Sequence, residues 1–480
     1  MRGSRRSIIC SMESSPQRAL EADGLIIGGG PAGSALACLL ARWGRRIVLL
    51  HAAERGGGLA EETLVPGASG VIERLGLTGA IESSGELGLD RQGGIWESGE
   101  LVWRELTEAS RGRQVRRSAL DATLRARAVE VGVHVIEVAR IEGAVRNGEP
   151  VHALTQEGET VRVEAAVVAC ATGRMTPSSL VDHEVEAELP ATICVHAHAE
   201  DADKDRAGSV IEAVREGWLW WLPSTEGGAN LALFADAEEV RERGREEVWQ
   251  SALAGARGPA AGVNLESVGG TIATATLRRS RCDTLLVGDA AAALDPLSSQ
   301  GIEKALTSAE DAAYAMNTLL EAPELSDAVR DQRHSWEREV FRAHARTTLE
   351  TYALVERFRD GPFWSRRLKA LESWGLTRRV VAPDSRLTPS DEVREVTTLV
   401  RKGRRLVEAR GWQLSEETHA LQQLHGIEVG AVMELFNTPR TALAFIEEAG
   451  TDARFYASSR AGLSLAIEEL VARGFLVEAP

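Results

Sequence analysis

The segment Leu25 to Gly33, L-I-I-G-G-G-P-A-G, constrains the fold of this chain more than any other. An apolar run leads into Gly28-x-Gly30-x-x-Gly33, and an alanine-rich stretch of helical composition follows from Ser34 to Trp43. In a strand-turn-helix unit the first glycine makes the tight turn and the second lets the backbone approach a pyrophosphate. The third lets helix and strand pack closely, and the helix N-terminus faces the negative charge. A second strand is expected from Arg46 to Leu50. Its end ordinarily carries an acidic residue for ribose hydroxyls. Here the place is taken by His51, which still offers one hydrogen bond, with Glu54 as a substitute carboxylate. Gly28, Gly30, Pro31, Ala32, Gly33 and His51 are therefore candidate dinucleotide-binding residues.

A second informative segment runs from Thr284 to Leu306, T-L-L-V-G-D-A-A-A-A-L-D-P-L-S-S-Q-G-I-E-K-A-L. An apolar strand ends in Gly288-Asp289, and a turn containing Pro296 and Gly301 opens a long helix. This stretch resembles the flavoprotein hydroxylases and halogenases. The resemblance implies that Gly288 and Asp289 hold the ribityl chain of FAD, while Pro296, Gln300, Gly301 and Ile302 line the flavin ring. A helix starting at the ring supplies free N–H groups and a positive dipole end, which suits the negative charge of reduced flavin. Two shorter segments are similar to the same family. Val115-x-Arg117-x-x-Leu120-Asp121 resembles its V-x-R-x-x-[FL]-D turn, which places Arg117 near the FAD phosphates. Val167 to Arg174, V-V-A-C-A-T-G-R, resembles its V-V-D-A-T-G-R turn, with Cys170 replacing the aspartate. The implied fold is α/β, a Rossmann-like FAD domain of the para-hydroxybenzoate-hydroxylase type with an interleaved mixed β-sheet substrate domain and a C-terminal helical module.

Gly217 to Pro223, G-W-L-W-W-L-P, matches the W-x-W-x-[IL]-P pattern of flavin-dependent halogenases. Trp218 and Trp220 share one face of a strand, and the sequence leaves open whether they wall a substrate pocket or fill the sheet core. Those halogenases also need a lysine after the segment that here reads Glu62-Thr63-Leu64-Val65-Pro66-Gly67. This chain has four lysines among fifty-five basic residues, and the first is Lys204. Arginine is no substitute, because it stays protonated and is poorly nucleophilic. Halogenation, or hydroxylation of a small-molecule natural product, is thus the alternative to the reading the resemblance favours. That reading is a monooxygenase acting on an aromatic ring through a flavin C4a-hydroperoxide. Glu62 is the candidate carboxylate to take up the proton the ring loses. Glu61 to Leu77 and Asp295 to Leu306 look most like a subgroup of monooxygenases that mature enzymes with protein-derived tryptophylquinone cofactors. The implied substrate is a tryptophan side chain in a polypeptide, and the implied partner is that polypeptide or a maturation complex holding it. The electron donor, NAD(P)H or reduced flavin, is left open.

Composition narrows the remaining classes. A formal charge of −16 disfavours nucleic-acid binding. No apolar run is long enough to span a bilayer, and no signal-peptide core is evident, so a cytoplasmic location is expected. Five scattered cysteines without a C-x-x-C pair indicate neither a disulfide framework nor a metal site. The expected layout is a disordered tail over 1–22, an FAD-binding domain over 23–93, 111–180 and 271–320, and a substrate-covering sheet over 94–110 and 181–270. A helical region over 321–385 and a small helical, winged-helix-like domain over 391–480 complete it. His196 and His198 share a strand face bordering either substrate or solvent. The basic cluster Arg401-Lys402-Gly403-Arg404-Arg405 reads as a solvated helix face, and the appended domain suits docking of a protein substrate or partner.

Overall fold

The computed structural model describes residues 17–53, 61–79, 87–108, 110–200, 208–267, 269–374, 382, 384–415, 419–424, 427–455 and 460–479. Five parallel strands form the first sheet, in the order His134–Glu142, Ile47–Ala52, Gln17–Ile27, Thr160–Cys170 and Leu285–Leu286. Val151–Thr155 runs antiparallel between the first and fourth of them. Both faces are covered, which is why these strands read as near-continuous apolar runs. Ile26, Leu49 and Ala169 pack under the helices Pro31–Arg42 and Gly301–Glu321, whereas Leu25, Leu50 and Val168 point to the opposite core.

Above the strand ends lies a seven-stranded sheet, ordered Gly269–Ile272, Thr192–Ala199, Ala229–Asp236, Gly217–Pro223, Ser209–Val214, Arg91–Ile95 and Val102–Glu105. One face packs Trp218 and Phe234 against Phe341, Tyr352 and Trp364 of the helices Ser326–Ala353 and Pro362–Ser373. Its other face packs Leu219 and Trp221 against Val248 and Trp249. No helix among the described residues is long and apolar enough to cross a membrane.

The structure differs from the expected layout in three places. Gln17 to Ala22 belong to the central strand, each paired with a residue of Thr160 to Ala165. A paired strand satisfies its backbone whatever its side chains are, so exposed Arg18 does not mark a tail. Residues 1–16 lie outside the described residues. The segment 271–320 does not return directly to the FAD domain. Thr271 and Ile272 are in the substrate sheet, and Thr276–Ser280 joins a separate three-stranded sheet with His183–Glu188 and Ala292–Ala293. The basic cluster at 401–405 lies on a β-hairpin, Arg394–Lys402 and Arg405–Gln413, turned at Gly403 with φ 64°. The stretch Val396-Thr397-Thr398-Leu399-Val400 favours strand through its β-branched residues. Leu399 and Leu406 join the main core, and Arg401 reaches Asp311 at 3.1 Å across the Tyr314 ring. The rest of the C-terminal region is helical around its own core. Its last helix, Arg460–Arg473, leads through Gly474 to the strand Leu476–Glu478, which pairs antiparallel with Leu387–Pro389.

A buried charged cluster joins the two long helices beneath Gly288. Lys304 Nζ donates to the carbonyls of Gly288 (2.7 Å) and Ala292 (2.6 Å) and pairs with Glu337 at 2.9 Å. Arg333 bonds Glu337, Asp311 and the Leu286 carbonyl, and Ser308 Oγ accepts from the Gly288 N–H. The Lys304 ammonium thus donates to two carbonyls and has a carboxylate beside it. Removing one partner of a buried ion pair typically costs about 3–5 kcal/mol. Lys304→Met should therefore lower the unfolding free energy by about that amount, seen as a lower urea midpoint followed by circular dichroism. An unchanged midpoint would show that this cluster does not hold the turn.

Candidate functional site

A cleft of about 760 Å³ opens along the carboxyl ends of the parallel strands. Gly28, Gly30, Pro31 and Ala32 border one end of it, together with His51. The three motif glycines meet different demands. A Cβ at Gly28, where φ is 113°, would lie 2.2 Å from the Ala171 carbonyl oxygen, and one at Gly33 would lie 1.9 Å from the Gly28 oxygen. These two are fixed by backbone packing. At Gly30 the nearest atoms would be Arg117 Nη2 at 3.7 Å and Asp121 Oδ2 at 4.0 Å, so this glycine keeps open space over the helix N-terminus. Pro31 starts that helix and no side chain caps it, which leaves first-turn N–H groups for an anionic ligand. His51 Nδ1 lies 3.0 Å from the Ala52 carbonyl oxygen. Glu54 lies outside the described residues.

Asp289 borders the opposite end of the cleft, with Gly301 and Ile302. Its Oδ2 pairs with Arg174 Nε at 3.2 Å, while Oδ1 is buried without a hydrogen-bond partner. Arg174 is itself held by the carbonyls of Ala273, Thr274 and Leu294, and Arg278 clamps the turn by donating to the Asp289 and Arg174 carbonyls. Burial lowers the pKa of Arg278. An orphaned carboxylate oxygen, an open glycine and an uncapped helix start fit a flavin dinucleotide, whose ribityl hydroxyl and pyrophosphate supply the missing partners. Gly288, at φ 65°, stands behind the cleft against Ala32 and does not border it. Pro296 borders a second cavity, and Gln300 borders neither. Asp121, Arg125, Arg174 and Arg278 were not among the candidates. Arg174 and Asp121 stand inside quoted motifs, whereas the roles of Arg125 and Arg278 emerge only from the tertiary fold.

Arg117 sits between the two cavities, pairing Glu62 at 2.6 Å and Asp121 at 3.0 Å. Burial opposes its charge, but the two carboxylates outweigh that and raise its pKa. Desolvation dominates for Asp121 and pushes its pKa up despite Arg117. The second cavity, about 260 Å³, is walled by Trp220, Phe234, Leu294 and Pro296, and it shares Glu62, Arg117, Arg174 and Gly301 with the cleft. The two tryptophans thus divide the roles left open by the sequence. Trp220 borders the cavity and donates to Ser209 Oγ at 2.8 Å. Trp218 is core, stacked on Phe234 at 4.1 Å, and its Nε1 donates to the Tyr352 hydroxyl at 3.1 Å. That hydroxyl donates to Asp295 Oδ1 at 2.9 Å. Burial raises the pKa of both Asp295 and Tyr352.

Glu61 and Glu62 point to different tasks, as strand alternation requires. Glu61 is buried and accepts from Asn230 Nδ2 at 2.6 Å and the Thr225 N–H at 2.9 Å, tying the sheets together. His198 belongs to this structural set through Asn230 Oδ1 at 3.1 Å, and neither it nor His196 borders the cleft or the second cavity. Among the described residues no cluster of histidine, cysteine and carboxylate side chains could hold a metal. The described lysines Lys304, Lys369 and Lys402 border neither cavity.

Residues 21–344 match the FAD binding domain family. Among curated relatives, a tryptophan 2-halogenase of Chondromyces crocatus is 26% identical over 322 residues, covering 62% of this chain and 61% of the halogenase. The match thus spans less than two thirds of that relative's length. A menaquinone reductase of Mycolicibacterium smegmatis is 25% identical over 322 residues, 62% of this chain and 76% of the reductase. Among solved structures, the peptidyl tryptophan dihydroxylase QhpG, essential for tryptophylquinone cofactor biogenesis, superposes with a TM-score of 0.67 at 23% identity. It is covered over 99% of its length and covers 95% of this chain. The flavin-dependent halogenase CmlS superposes with a TM-score of 0.73 at 20% identity, over 95% of this chain and 96% of its own. The chain belongs to the FAD binding domain family, and its cofactor is FAD.

Proposed function

We propose that this protein is an FAD-dependent monooxygenase that hydroxylates an aromatic ring, namely a tryptophan side chain within a polypeptide. One observation carries this reading: an aromatic-walled cavity of about 260 Å³ adjoins the cleft, sharing Glu62, Arg117, Arg174 and Gly301 with it, and no described lysine borders either space. When bound and reduced, FAD with dioxygen supplies an electrophilic oxygen. The chain's own residues do the rest. Gly30 and the N-terminus of the Pro31–Arg42 helix would hold the pyrophosphate, and Asp289 Oδ1 would accept from a ribityl hydroxyl. The N-terminus of the Gly301–Glu321 helix favours negative charge on the ring. Trp220, Phe234, Leu294 and Pro296 orient the aromatic substrate and exclude water. Glu62, fixed by Arg117, accepts the proton lost from the hydroxylated carbon. Lys304, whose ammonium is occupied by Gly288, Ala292 and Glu337, cannot serve as the free amine of a halogenase. The likeness to QhpG over nearly the whole chain supports the polypeptide substrate.

Three outcomes test this assignment. The holoenzyme, given a reductant, dioxygen and a tryptophan-containing peptide, should yield a product heavier by one or two oxygen atoms. Incorporation of chloride or bromide would instead make it a halogenase, and an unchanged mass would remove the catalytic reading. Asp289→Ala should weaken FAD binding about 10- to 100-fold, the range for a hydrogen bond to a charged group, measured by flavin fluorescence titration. Retained affinity would exclude the ribityl contact. Glu62→Gln should lower kcat by about 100-fold with FAD affinity unchanged. If kcat is preserved, the proton leaves by another route.

A further inference from the structure

The Gly269–Ile272 strand is at the edge of the seven-stranded sheet and, among the described residues, pairs on one side only, with Thr192–Ala199. Its register sets Ile193 opposite Ile272 and Val195 opposite Gly270, and the Ala273 N–H donates to the Thr192 carbonyl at 2.9 Å. Antiparallel ladders alternate, so Thr271 and Ala273 turn their backbone groups inward while Gly270 and Ile272 turn theirs outward. Gly270, Thr271 and Ile272 are exposed, and Ile272 is a large apolar side chain left 45% accessible. Proteins ordinarily blunt such an edge with charge, proline or a covering segment.

The same strand borders the aromatic cavity through Thr271 and Ile272, and Ala273 follows them along its wall. At about 260 Å³ that cavity falls below the roughly 300–1,000 Å³ of pockets that enclose a whole drug-sized ligand. It has room for one aromatic side chain, so the main chain bearing that side chain must stay outside, beside this edge. Gly269 and Gly270 project no side chain into the approach.

We infer that the polypeptide substrate binds as an added β-strand on the Gly269–Ile272 edge, its backbone bonded to the outward groups of Gly270 and Ile272 and one aromatic side chain inserted into the neighbouring cavity. This inference rests on the reading that the substrate is a polypeptide. It separates two tasks: main-chain hydrogen bonds supply affinity without regard to sequence, and the cavity selects the residue that is oxidised.

The test is Gly270→Pro. Proline is tolerated on an edge strand where its missing N–H faced solvent, and a Cβ at Gly270 would meet nothing nearer than the Cys194 carbonyl oxygen at 3.5 Å. With the FAD-loaded enzyme and an acetylated, amidated nonapeptide carrying one central tryptophan among valine and threonine, the substitution should raise KM about tenfold, the upper range for one backbone hydrogen bond. FAD content, kcat and turnover of N-acetyltryptophan amide should stay unchanged. Gly270→Ala, which keeps the N–H, should restore the peptide KM. A nonapeptide N-methylated at both residues flanking tryptophan loses its donors to the outward Gly270 and Ile272 carbonyls and should show at least as large a rise in KM on the parent enzyme. Peptide turnover insensitive to both changes would overturn the edge-strand docking and leave the substrate reading intact. Turnover of N-acetyltryptophan amide with none of the nonapeptide would overturn the substrate reading, and the docking with it.

Discussion

The register that sets Ile27 beside Leu50 and Cys170, with Cys170 beside Leu286, makes parallel strands finish together. Everything chemical in this protein follows from that alignment. Each strand releases its chain at the same edge, so Gly28, His51, Thr172 to Arg174 and Asp289 become neighbours although more than two hundred residues separate the first from the last. Ligands of open α/β sheets bind at the carboxyl ends of the strands for this reason. The second sheet does not create the site but roofs one end of it, and Arg174 links the two by holding Asp289 and three carbonyls of the roof connection.

What was legible in the sequence was what local geometry dictates. Gly28 and Gly33 cannot carry a Cβ because backbone oxygens occupy its place, and that demand is written within six residues. Asp289 and the helix opening at Gly301 were legible for the same reason, since strand, turn and helix succeed one another directly. Properties that depend on what packs from afar were not. Trp218 and Trp220 share a face and a composition, yet Tyr352, more than a hundred residues on, seals the first into the core while the second stays at a cavity wall. The basic cluster at Arg401 gave no sign that Asp311 and Tyr314 would receive it, and its strand propensity was hidden behind its charge.

The scarcity of lysine acquires a structural meaning beside the cleft. Lys304 stands one turn into the helix that starts at the flavin end, yet it faces away from the cleft and joins Glu337 and Arg333 under the Gly288 turn. A buried ammonium held by two carbonyls and an ion pair serves position and not reactivity. The chain thus places this amine where it holds the Gly288 turn and not at the cleft.

The helix Gly301–Glu321 has neither proline nor glycine after its first residue. At roughly 1.5 Å per residue it is a rod about 30 Å long, touching the flavin cleft at Gly301 and Ile302 and meeting the C-terminal hairpin through Asp311, Asn317 and Thr318. Such a rod lacks a joint between its ends. The C-terminal region is therefore not a pendant on a tether but is splinted to the ceiling of the cofactor site, and the two ends keep a fixed spacing set by the unbroken backbone ladder between them.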